Sequence, residues 1–103
     1  MTKVIAVLAT LDTKGAEAQY LREQLEALGS RALILDLGVL GEPGTQPDID
    51  RSQVAAAGGT SLVELQASPN REVAQPVMVA GAAKLLHEQV EADQDHGVIG
   101  LGG

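Results

Sequence analysis

The sequence predicts an α/β fold, a three-layer sandwich on a parallel βαβαβ sheet, and three stretches of chain predict it. Val4-Ile5-Ala6-Val7-Leu8-Ala9 is an unbroken apolar run that leads into the polar turn Thr10-Leu11-Asp12-Thr13-Lys14-Gly15. Ala32 to Leu37 leads in the same way into Gly38-Val39-Leu40-Gly41, and Gly97 to Leu101 into Gly102-Gly103. Short apolar runs without polar alternation fit strands covered on both faces, which is how parallel sheets read. The carboxyl ends of parallel strands lie along one edge, where ligands collect. The three turns are therefore expected on one rim.

Between the first two runs, Ala18, Leu21, Leu25 and Leu28 recur at helical spacing, with Glu17, Arg22, Glu23 and Glu26 on other faces. This predicts an amphipathic helix from Lys14 to Leu28, closed by Gly29. The resulting βαβ unit crosses over right-handed. Gly38 to Pro47 has no period and is punctuated by Gly41, Pro43, Gly44 and Pro47, so it is a loop. Asp50 with Gln53 forms a capping box opening a short helix to Ala57, which Gly58-Gly59 ends. Ser61 with Glu64 opens a second short helix containing Leu62, Val63 and Leu65, stopped by Ser68-Pro69.

Asn70 to about Ala92 is the long crossover helix. Lys84, His87, Glu88 and Glu91 make a narrow polar stripe, and Val73, Val77, Met78, Ala80, Gly81, Ala82, Leu85, Leu86 and Val90 cover the rest. A helix apolar around most of its circumference is buried on two sides. One side should meet the sheet and the other a second copy or further chain. Pro76 removes a hydrogen bond and clashes with the preceding turn, so the helix either starts there or kinks there.

Length and charge narrow the functions. At 103 residues the chain is at most one domain, near the size where a three-layer sandwich is marginal. The 45% of hydrophobic residues are almost all Ala, Val, Leu and Ile, with one Tyr and no Phe or Trp, so no aromatic platform exists for stacking bases. Seven basic against fourteen acidic residues leave a net charge of −7, which repels a nucleic-acid backbone, and no DNA partner is expected. Zero Cys removes disulfides, thiol catalysis and Cys-based zinc sites. No stretch reads as a secretory signal or approaches the roughly 20 apolar residues of a membrane span. A cytoplasmic protein without a membrane partner is the expectation.

Thr10 to Gly15 carries hydroxyls, a carboxylate and an ammonium at a helix start, where free N–H groups and the dipole favour an anion. Lys14 can supply a point charge to a phosphate, and Asp12 could hold Mg2+ through water. The competing reading is that Asp12 or Thr13 caps the helix while Lys14 is solvated. The spacing matches neither G-x-x-x-x-G-K-[ST] nor G-x-G-x-x-G. The terminal glycines either admit a phosphate or make a tight turn. His87 reads as part of a solvated face and His96, beside Asp93 and Asp95, as part of a turn. No carboxylate pair or G-x-S-x-G elbow stands out.

Ala9 to Gly15 with Glu17, Asp36 to Gly41, Pro47-Asp48-Ile49 and the closing Gly97 to Gly103 together resemble, in order and over essentially the whole chain, the N-terminal part of the Tm-one-like ATP-binding domain proteins. The resemblance implies a Rossmann-like first half of a larger domain, truncated at a glycine loop, with a C-terminal lobe beyond it. It also implies ATP at the carboxyl edge. Thr10, Asp12, Thr13 and Lys14 would line the phosphate side, Gly38 would sit beside the second strand end, and Gly102 and Gly103 would begin the glycine loop.

Three functions follow. The first is a nucleotide-binding module. The second is an assembly fragment whose long apolar helix pairs with a copy, as a homo-oligomer, or packs on the missing C-terminal lobe. The third is an enzyme domain acting on a phosphorylated or carboxylated metabolite, for which no nucleophile and base pair stands out.

Overall fold

The three apolar runs are strands: β1 (Val4–Ala9), β2 (Arg31–Asp36) and β3 (Gly97–Gly100), all parallel, in the order β2-β1-β3. The computed structural model describes residues 3–67, 71–91 and 97–101. The expected stop at Ser68-Pro69, the helix ends at Asn70 and Ala92, the His96 turn with Asp93 and Asp95, and the glycines Gly102 and Gly103 lie outside the described residues. The register pairs Val4 with Arg31 through Ala9 with Asp36, and Ile5 with Gly97 through Leu8 with Gly100.

Period-two alternation sends successive side chains of β1 to opposite faces. Val7 and Ala9, with Ile34 of β2, pack on Leu11, Ala18, Leu21 and Leu25 of α1 (Leu11–Ala27). Ala6 and Leu8, with Leu33 and Leu35, pack on the opposite layer. That layer is α2 (Arg51–Ala57), α3 (Leu62–Ala67) and α4 (Arg71–Glu91). β1 and β2 are covered on both faces, which is why these two strands carry no polar alternation, while Val98 and Gly100 of β3 stay exposed on one face.

Helix α1 starts one turn earlier than expected. Its N-cap is Thr10, which is extended and makes no side-chain cap bond, so neither Asp12 nor Thr13 holds the cap position. The first turn is separated from the rest by a non-helical Lys14 (φ −116°, ψ 19°). Here the loop after β2 intervenes: Gly44 N–H donates to the Leu11 carbonyl at 2.8 Å. A Cβ on Gly15 would lie 2.6 Å from Gly44 Cα, so the crossing needs glycine. The loop continues along α1, with Thr45 Oγ1–H donating to Gln19 Oε1 and Arg22 Nη2–H to the Gln46 carbonyl.

The Asp50–Gln53 capping box is complete. The second box is half formed: Glu64 N–H donates to Ser61 Oγ, but the Glu64 carboxylate accepts from Thr60 Oγ1 instead. Helix α4 does not begin at Pro76 but runs through it from Arg71. Pro76 lacks the N–H of a single turn, and the buried Ala74 and Met78 on either side hold that turn in the core. Gly81 lets α4 approach α2 closely, because a Cβ there would collide with the Val54 carbonyl. One side of α4 is buried at Ala74, Met78, Gly81 and Ala82, and Pro76, Val79, Ala80 and Ala83 lie exposed on the other. Among the described residues, no helix is long and apolar enough to cross a membrane.

Candidate functional site

The chain leaves β1 through α1 on one face, reaches β2, and returns through α4 on the opposite face to β3, on the other side of β1. The connections thus diverge at β1, and the crevice outside the carboxyl ends of β1 and β3 is the topological switch point where α/β sheets bind ligands. A cavity of about 540 Å³ lies there. Thr10, Asp12 and Thr13 line it after β1, Gly38 after β2 and Leu101 after β3. Much of the remaining lining is apolar, with Leu37, Val39, Leu65 and Met78, and the exposed Gln66 and Gln75 also line it. Asp12 is the one charged residue among the described residues lining it.

The first turn of α1 orders the polar side. Thr10 Oγ1 and Thr13 Oγ1 are 3.0 Å apart. The Thr13 and Lys14 N–H groups donate to the Thr10 carbonyl, and the Leu11 N–H donates to Asp36 Oδ1 at 3.2 Å. The place an anion would take at a helix start is therefore partly occupied by a carboxylate of the protein itself.

That carboxylate, 1% exposed, centres a buried cluster behind the rim. Asp36 Oδ1 also accepts the Gly38 N–H at 2.8 Å, and Oδ2 accepts Arg51 Nε–H at 2.9 Å. Arg51 Nη1–H donates to the carbonyls of Leu40 and Gly41 at 3.0 and 2.9 Å, while the buried Nη2 has no hydrogen-bond partner among the described residues. A Cβ on Gly38 would lie 2.8 Å from Arg51 Nη2 and 2.9 Å from Asp12 Oδ1. Gly38 is thus required by crowding between two polar side chains. The cluster sets the separation of the Thr10–Thr13 and Gly38–Leu40 walls.

Of the residues expected at the site, Thr10, Asp12, Thr13 and Gly38 are brought to one cavity. Lys14 is half-buried and lies outside the lining. Gly102 and Gly103 lie outside the described residues, next to the lining residue Leu101. Asp36 and Arg51 were not anticipated. The available signal was a carboxylate closing an otherwise apolar strand, since buried charges are paired. Among the described residues no group of three His, Asp or Glu is placed to hold a metal ion.

The profile of the uncharacterised protein family UPF0261, N-terminal domain, matches residues 3–103. A UPF0261 protein of Clostridium tetani is 37% identical over 103 residues, covering 100% of this chain and 26% of that protein. UPF0261 proteins of Rhizobium meliloti and Brucella suis are 34% and 31% identical over 101 and 99 residues, covering 98% and 96% of this chain and 24% of each protein. The chain spans about a quarter of the length of these curated relatives. No solved structure matches it. These matches correct the expected Tm-one-like ATP-binding family: the profile and the relatives alike carry the UPF0261 description.

Proposed function

The chain belongs to the UPF0261 family, whose N-terminal domain it matches from residue 3 to residue 103, and from that premise we propose that it is a nucleotide-binding module. The observation that carries this reading is the cavity at the β1/β3 switch point of a parallel sheet. The phosphates, as in ATP, lie against Thr10, Asp12 and Thr13, with Lys14 adding positive charge beyond the rim. Gly38 faces them, and Leu101 stands on the β3 side. The base enters the recess of Leu37, Val39, Leu65 and Met78. Because Asp12 repels a bare phosphate, Asp12 would hold Mg2+, which would supply the compensating positive charge.

The pose differs from that of a dinucleotide, in which an acid after the second strand holds the ribose. Asp36, which ends that strand, is buried and held by Arg51. Calorimetry with ATP and Mg2+ tests the reading. Thr13→Ala is expected to weaken binding by about tenfold or more, the loss of one charge-assisted hydrogen bond, and Lys14→Ala by less, the loss of a charge beyond the rim. Binding untouched by either change removes the roles assigned to them, and no binding at millimolar ATP removes the function.

The exposed apolar side of α4 at Pro76, Val79, Ala80 and Ala83 supports a second reading, an assembly module pairing through that helix. Light scattering showing a monomer across the micromolar range, for the chain and for the full-length protein alike, would count against self-pairing.

A further inference from the structure

The two edges of the sheet are finished differently. The outer edge of β2 is closed by the chain itself: Leu35 bridges Ile49, the Asp48 and Ile49 N–H groups donate to the Ile34 carbonyl, and Asp36 N–H donates to the Ile49 carbonyl. Even the Ile34 N–H on that edge is taken, by Asp48 Oδ2 at 2.7 Å. On the other side, β3 pairs with β1 alone among the described residues.

Edge strands left in water are normally blunted by charge, proline or a bulge. Gly97-Val98-Ile99-Gly100 has no charged side chain and no proline. Register pairs Val98 with Ala6, so both point to the same face. Ala6 is 0% exposed and Val98 is 53% exposed. The helical layer that seals β1 therefore stops short of β3. The Leu101 N–H donates to the Leu8 carbonyl, and alternation turns the N–H groups of Val98 and Gly100 away from β1.

We propose that the outer edge of β3 is the docking site for a further parallel strand, supplied by the remainder of the full-length protein together with a helix that covers Val98. The curated relatives are about four times as long as this chain, so a full-length protein of their size has ample chain to supply both. A second copy fits less well. Twofold pairing through one edge is isologous and would run the two strands antiparallel at the end of a parallel sheet. The added strand extends the order β2-β1-β3 outward, as doubly wound sheets grow.

Amide hydrogen exchange on the full-length protein that carries this domain tests the proposal. The outward amides of Val98 and Gly100 should be protected to within about tenfold of the β1-facing amides of Ile99 and Leu101. Exchange of the outward pair about 100-fold faster than the inward pair overturns it. So does protection that is lost on dilution, which assigns the edge to a second copy. Independently, Val98→Lys in the full-length protein should lower its melting temperature by several degrees, and an unchanged melting temperature overturns the buried position.

Discussion

Asp36 and Arg51, fifteen positions apart, meet at 2.9 Å behind the rim of the sheet, and the pair ties four segments together. Asp36 reaches the start of α1 through the Leu11 N–H and the loop after β2 through the Gly38 N–H. Arg51 brings α2 and the carbonyls of Leu40 and Gly41 to the same point. A buried pair of this kind adds little to stability relative to apolar residues, but breaking it strands a charge.

Arg51→Met should therefore destabilise the chain by about 3–5 kcal/mol in urea unfolding, because Asp36 is left charged and buried. Adding Asp36→Leu to that variant should recover most of the loss. A single variant within about 1 kcal/mol of the parent would show that the pair does not organise the rim.

Three glycine substitutions should rank by what a methyl group meets. Gly81→Ala drives into the Val54 carbonyl between two packed helices and Gly15→Ala into the Gly44 backbone, and overpacking costs about 1–3 kcal/mol. Gly29→Ala meets nothing within 4 Å and carries only the strain of φ +86°, about 1 kcal/mol. Thermal denaturation should place Gly81→Ala lowest and Gly29→Ala highest of the three, and the reverse order would contradict the packing described.

The two capping boxes offer an internal comparison. Asp50→Ala removes a complete box and should cost about 1 kcal/mol. Ser61→Ala removes the single bond to Glu64 N–H and should cost about half as much. Equal losses by chemical denaturation would show that the reciprocal Gln53 bond contributes nothing.

Asp12→Asn removes the one charge among the described lining residues. Under the proposed function, nucleotide affinity without magnesium should rise about three- to fivefold as a repulsion at several ångströms disappears. With magnesium it should fall, because the carboxylate that anchors the cation is gone. Calorimetry with and without the metal checks both signs, and a variant that behaves like the parent in each condition would separate Asp12 from the ligand.

Much of the fold was legible in local pattern. The runs at Val4, Ala32 and Gly97 announced three parallel strands, the last of which is exposed on one face rather than covered on both, Asp50 with Gln53 announced a helix start, and Gly29, at φ +86°, marked a helix end. Thr10, Asp12, Thr13 and Gly38 were legible as rim residues because each directly follows a strand in a parallel sheet. What local pattern missed were contacts between segments distant in sequence. Helix α1 breaks at Lys14, where Gly44 arrives at the Leu11 carbonyl, and Pro76 is tolerated because Ala74 and Met78 are held in the core.

By itself, then, the order of residues determined the layer architecture and which turns share an edge, since periodicity and parallel topology require no knowledge of what packs where. Only the tertiary structure decided that Arg51 answers Asp36, that a carboxylate of the protein stands at the start of α1, and that Leu65 and Met78 wall the cavity. A buried charge can be anticipated from its own position in a strand, but its partner is chosen by how the chain returns across the sheet.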